Sequence, residues 1–210
     1  MMAQPDLFFT PYQDEFWSDY ARPQQVAAGH SMGRILYELT GHPKRVLDVG
    51  CGAGQILAGF RTAGTERVFG LESQNGVDWC KRLNIFELAE TEYMPVDLRT
   101  SLPKLVDFDV VVCTEVGEHL PPEAANEMIR WMCVDVNPAW LVFSGALPGR
   151  GGTAHINEHP IPVWMRLIRD HRTHVVDWDR SRRFQVAMTL EPCTTTWTQN
   201  VYLWRRKNGV

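Results

Sequence analysis

Two rhythms of hydrophobic and polar positions alternate along the chain from Arg45 onward: short unbroken apolar runs, and stretches whose apolar residues recur three or four apart. The runs suit strands buried on both faces, and the second spacing suits helices that cover them. Strands are predicted at 46–49, 67–71, 93–96, 108–113, 140–144, 173–176 and 201–204. Between them, Ile56, Leu57 and Phe60 mark a helix that Gly64 can end, and residues 77–83 belong to the next. Pro121 and Pro122 suit the opening of a helix on which Ala125, Met128, Ile129 and Met132 repeat at i, i+3, i+4 and i+7. Trp164, Leu167 and Ile168 mark another. Strands and helices taken in turn predict an α/β fold with a mainly parallel sheet.

Composition narrows this picture without changing it. The 210 residues, 44% hydrophobic and 22% charged, can bury such a sheet within one domain spanning 1–210. Residues 1–44 read as an N-terminal helical extension or lid, carrying Phe8, Phe9, Tyr12, Phe16, Trp17 and Tyr20. Residues 45–147 form the core, and 148–210 supply a further loop and the C-terminal strands. The net charge is −4, and basic residues cluster only at Arg180, Arg182 and Arg183 and at 205–207, which argues against nucleic acid as a partner. Both runs read as solvated faces or a strand terminus.

Every apolar stretch falls far short of the ~20 residues that cross a bilayer, and the opening MMAQPDLFF lacks the order of a secretory signal. No membrane partner is expected. Cys51, Cys80, Cys113, Cys133 and Cys193 are odd in number and include no Cys-x-x-Cys pair. They read as reduced thiols of a cytoplasmic protein, not as a disulfide framework or a zinc site.

The most informative stretch is VLDVGCGAG, residues 46–54: a strand, then Gly50, Gly52 and Gly54, then a helix. Glycines there permit a tight turn and close approach of the backbone to a ligand, and a helix start offers N–H groups. A dinucleotide fingerprint would need its third glycine where Gln55 stands, and no Gly-x-x-x-x-Gly-Lys-Ser/Thr loop is present. The segment from Asp48 to Gly54 instead resembles the first motif of class I S-adenosylmethionine-dependent methyltransferases.

Three further segments carry that resemblance. Glu72 ends the second strand 24 residues after Asp48, Asp97-Leu98 follows the third, and Thr114-Glu115-Val116-Gly117-Glu118-His119-Leu120 follows the fourth. The last is similar to the Glu-Val-x-Glu-His-Leu segment of small-molecule methyltransferases of type 11 and type 23, including those of quinone biosynthesis. The resemblance implies a Rossmann-like, mainly parallel seven-stranded sheet with helices on both faces and the last strand antiparallel. It implies S-adenosylmethionine as cofactor, with Asp48, Gly50, Cys51, Gly52 and Gly54 at its amino acid end. Glu72 would hold the ribose, Asp97 and Leu98 the adenine, and Thr114 and Glu115 would stand beside it.

The acceptor is then a small molecule methylated on O or N, bound near the loops after Cys113 and Ser144 at the sheet's switch point. His119 and His155 are the candidate general bases, since imidazole titrates near neutrality. Asn157 and Glu158 would orient the acceptor or His155, and the N-terminal aromatics, Tyr12 and Trp17 among them, would close over it. His155 and His159 are spaced like metal ligands on a helix, but Pro160 and Pro162 break such a helix, so no metal is expected. A homodimer is left open. The competing reading is a catalytically silent cofactor-binding or partner-binding protein on the same fold.

Overall fold

Alternation within the strands assigns the two layers that cover the sheet. In the computed structural model, which describes residues 22–83, 92–100, 102–191 and 196–208, all seven predicted strands form. They are β1 (Arg45–Val49), β2 (Arg67–Glu72), β3 (Tyr93–Pro95), β4 (Val110–Thr114), β5 (Trp140–Ser144), β6 (His174–Val176) and β7 (Tyr202–Arg206). Their order is β3-β2-β1-β4-β5-β7-β6. The first five run parallel, and β7 lies antiparallel to both β5 and β6. The order reverses between β1 and β4, where a crevice opens at the strands' carboxyl ends.

Val46, Val110, Val112 and Val142 point to one face, toward α1 (Pro23–Leu39), α2 (Gln55–Ala63) and later α6 (Trp178–Leu190). Leu47, Val111, Cys113, Leu141 and Phe143 point to the other, toward α4 (Pro122–Arg130) and α5 (Ile161–Asp170). The remaining helix, α3 (Gln74–Leu83), follows β2. Helices therefore cover both faces, as expected of a Rossmann-like α/β fold.

Two local departures have clear causes. The fourth strand begins at Val110, not Phe108, because the Asp109 carboxylate turns to accept the backbone N–H groups of Lys44 and Arg45, at 2.9 and 2.8 Å. Arg180, Arg182 and Arg183 lie on helix α6, which buries only the narrow stripe Ser181, Phe184 and Met188. Arg182 and Arg183 are solvated, but Arg180 stacks over Trp140 at 4.9 Å and pairs with Asp177 at 2.9 Å.

Helix α1 meets α2 backbone to backbone. A Cβ on Gly33 would stand 2.1 Å from the Ile56 carbonyl, and one on Gly59 would stand 2.2 Å from that of His30. Glycine costs a helix interior about 1 kcal/mol relative to alanine, so its presence here marks a contact that admits no side chain. The N-terminal aromatics, including Tyr12 and Trp17, lie outside the described residues.

Candidate active site

The glycine loop is shaped from the end of β1. Gly50, Gly52 and Gly54 all take left-handed φ, at 74°, 54° and 82°, a region costly for residues with a Cβ. The Leu71 carbonyl accepts from the N–H groups of Gly50 and Cys51 at 2.8 and 3.0 Å, which pins the loop to β2. Gly52 N–H donates to the Glu72 carboxylate at 3.0 Å, and Ser73 N–H donates to its other oxygen at 2.7 Å.

Above this loop is a cavity of about 470 Å³. Asp48, Gly50, Cys51 and Gly52 form its floor, and Gln55 and Ile56 bring in the start of α2. Gln25, Ala28 and Gly29 of α1 complete that rim. Thr114, Glu115 and His119 supply the wall after β4, and Gly151, Gly152, Thr153 and His155 the wall after β5. Loops 36 residues apart in sequence, at His119 and His155, thus meet at the switch point.

Asp48 is buried, and its Oδ2 has no hydrogen-bond partner. Burial first, and the Glu72 charge second, push its carboxyl up to about 8. Such an orphaned acceptor beside a cavity fits a ligand that brings N–H donors and positive charge. Glu72 is also raised, by burial.

This has a consequence for the ligand-free protein. An unfolded chain releases the Asp48 proton near the ordinary value of 3.8, whereas the folded chain holds it to about 8. Folding takes up a proton between those values, so this group's share of stability falls as pH rises through the interval. We expect Asp48→Asn to raise the ligand-free stability at alkaline pH by about 1–3 kcal/mol and to flatten the decline. Thermal melts of both proteins across that range check it, and a variant that melts lower at alkaline pH contradicts it.

On the acceptor side, Glu115 has φ of 56°, a left-handed conformation uncommon outside glycine. Ser144 holds it there: the hydroxyl donates to Glu115 Oε1 at 2.7 Å and accepts from Glu115 N–H at 3.2 Å. His119 closes the short turn Gly117–His119, its ring edge-on to His155 with centroids 4.8 Å apart. Burial pushes the His119 imidazole down to about 4. His155 Nδ1 lies 2.8 Å from Glu158 Oε1, and that same carboxylate accepts from Gly149 N–H at 2.9 Å.

Other expected residues stand elsewhere. Asn157 is buried and donates its amide to the Gly117 carbonyl at 3.1 Å, so it fastens the loop. Asp97 is gripped by Arg99 through both oxygens, each at 2.9 Å, which holds its carboxyl below the usual range. Neither Asp97, Leu98 nor Glu72 is on the cavity wall, and Leu98 packs on the core. His159 turns edge-on to Trp164 at 5.0 Å, away from His155. Sequence reasoning passed over Glu118, although it sits within the segment quoted above. Its position three residues after Glu115 was the available signal.

Comparison with known proteins agrees with the fold. Residues 46–138 match the family model described as a methyltransferase domain. A ubiquinone biosynthesis O-methyltransferase of Neisseria meningitidis is 35% identical over 105 residues, 48% of this chain and 42% of that protein. The chain thus spans less than half the length of that relative. An O-methyltransferase family protein from Burkholderia thailandensis superposes with TM-score 0.65 at 15% identity, over 92% of this chain and 58% of that one. Magnesium protoporphyrin IX methyltransferase from Synechocystis, with bound S-adenosylhomocysteine, superposes with TM-score 0.59 at 18% identity, over 95% and 90%.

Proposed function

We propose that this chain, which carries a class I S-adenosylmethionine-dependent methyltransferase domain, transfers the cofactor's methyl group to an O or N atom of a small metabolite. The observation that carries the reading is the orphaned Asp48 carboxylate on the floor of a cavity bounded by the glycine loop. When bound, S-adenosylmethionine supplies a methyl group already activated on a sulfonium. The chain's residues have only to hold, orient and exclude water.

In this assignment Asp48 accepts from the cofactor's amino group, and the start of α2 receives its carboxylate. Gly50, Cys51, Gly52 and Gly54 bring main chain close to it. Glu72 accepts from the ribose hydroxyls with the lone pairs its two N–H donors leave. Asp97 and Leu98 stand at the adenine end, although Arg99 already engages both oxygens of Asp97. Thr114 and Glu115 lie between cofactor and acceptor. His119 and His155 face the acceptor, and Glu158 orients His155. Tyr12 and Trp17 close over it from the lid formed by residues 1–44. The buried, unpaired thiols of Cys51, Cys113 and Cys133 support a reducing compartment such as the cytoplasm. No helix among the described residues is long and apolar enough to cross a membrane.

The decisive experiment incubates the protein with methyl-labelled cofactor and a metabolite extract and seeks labelled products by mass spectrometry. A labelled product with equimolar S-adenosylhomocysteine supports the reading. Tight cofactor binding without any product favours the silent binding protein instead. For the cofactor half, Glu72→Ala is expected to weaken binding by about 1.5–3 kcal/mol, the scale of hydrogen bonds to a charged group. Calorimetric titration with S-adenosylhomocysteine checks this, and an unchanged dissociation constant in a folded variant removes Glu72 from the ribose role.

A further inference from the structure

Glu118 has no role in the assignment above, yet it is the most deeply placed acid beside the cavity. It is 0% exposed, and no hydrogen bond of good geometry reaches either carboxylate oxygen. Its carboxyl lies against that of Glu115. Two buried carboxyls in contact need positive charge or a shared proton between them.

Two imidazoles face the same point. One ligating atom each from Glu118, His119 and His155 falls within 4.8 Å of the others. Donors bound about 2.1 Å from one ion lie up to about 4 Å apart, so small side-chain rotations close the set.

The surroundings also prepare the histidines. Glu158 takes the Nδ1 proton of His155, which leaves Nε2 as the lone-pair nitrogen. Gly152 keeps that nitrogen open, since a Cβ there would stand 2.2 Å from it. The His119 ring meanwhile reaches the backbone carbonyls of Thr153 and Ala154, which fixes its orientation. A carboxylate or carbonyl behind each imidazole is the arrangement that orients metal-ligating histidines.

We infer that Glu118, His119 and His155, with Glu115 beside them, bind one divalent transition-metal ion, and that this ion receives a hydroxyl oxygen of the acceptor. The mixture of imidazole and carboxylate suits manganese, iron, cobalt or zinc over magnesium or calcium, which prefer oxygen throughout. The cation site stands on these side chains alone. Only its contact with the acceptor rests on the methyl-transfer reading, which it narrows from O or N to O.

In the reaction the acceptor's O–H bond breaks and its proton passes to water, the cation stabilising the negative oxygen. That oxygen attacks the methyl carbon, and an O–C bond forms. The S–C bond breaks with its electron pair going to sulfur, and the sulfonium becomes a neutral thioether. No oxidant or reductant takes part. Neither histidine has to act as the base.

The test uses the full chain, freed of metal by a chelator and titrated with Mn²⁺ by calorimetry and by loss of the free-ion paramagnetic signal. Binding of S-adenosylhomocysteine is measured in the same samples. One equivalent of Mn²⁺ is expected, with affinity lowered at least ~10-fold in Glu118→Gln, which keeps the buried shape, and in His155→Ala. Absence of saturable Mn²⁺ binding in protein that still binds S-adenosylhomocysteine overturns the cation site and leaves the methyl-transfer reading standing. Wild-type Mn²⁺ affinity in both variants also overturns it, leaving a proton shared by Glu115 and Glu118. Tight Mn²⁺ binding without any binding of S-adenosylhomocysteine upholds the cation site and removes the methyl-transfer reading.

Discussion

Turnover in His155→Ala is expected to fall by ~10²–10⁴-fold while cofactor affinity stays close to that of the parent. His155 reaches the cavity from the loop after β5, with His119 edge-on to its ring and Glu158 behind it. It makes no hydrogen bond to the glycine loop, so removing it leaves the cofactor's cradle intact. Steady-state kinetics and a cofactor titration on one preparation separate the two quantities. Two routes lead to the loss, and they respond differently to added ion. If His155 is the proton acceptor, excess Mn²⁺ restores nothing and the pH profile loses a limb. If it is a ligand, excess Mn²⁺ recovers part of the rate. A small loss in kcat with a raised KM would make it a positioning residue, and unchanged kinetics across neutral pH would make it structural.

Gly59→Ala is expected to destabilise the fold by about 3 kcal/mol or more, beyond the usual range for overpacking. Helix propensity alone argues the other way, since alanine in place of glycine favours a helix by about 1 kcal/mol. The contact decides the sign. The new methyl would stand 2.2 Å from the His30 carbonyl and close to the Gly33 Cα, and neither backbone can rotate away as a side chain could. Because domain stabilities are about 5–15 kcal/mol, the loss is a large fraction of the whole. The midpoint of denaturant unfolding measures it. An unchanged or raised midpoint would mean that α1 slides on α2 at little cost.

Most of the sheet was legible because its strands are written locally. Runs such as 110–113 are apolar on both faces, and that pattern needs no partner to be recognised. Helix α6 was not, because its buried stripe is narrow and arginines separate Trp178 from Phe184. Helix α1 hides its contact in glycines, which a search for apolar periodicity passes over. The cofactor half of the site was likewise readable, since Asp48 to Gly54 is contiguous and Glu72 ends the neighbouring strand.

The acceptor half was only partly so. His155 was first weighed with His159, four residues on, as a metal pair, whereas the fold sets it against His119 and Glu118. No spacing rule connects positions that far apart in the chain. Glu118 carries no mark of burial in the sequence, because an acid among Gly117 and His119 reads as a turn residue. Asp97 shows the opposite failure: its position after β3 fits a cofactor contact, while its nearest neighbour in the chain, Arg99, takes hold of it.

The loop from Gly145 to His159 is fastened almost wholly through main chain. The Glu118 carbonyl accepts from the N–H groups of Ile156 and Asn157 at 2.9 and 3.1 Å, and the Ala146 carbonyl accepts from that of His159 at 3.2 Å. Carbonyl acceptors are indifferent to the side chains attached beside them. Arg150, Thr153 and Ala154 can therefore be exchanged through evolution or in a directed library while the loop keeps its course. Descendants of this chain inherit the frame intact, and a change of diet for the enzyme requires only a few codons at the tip of that loop.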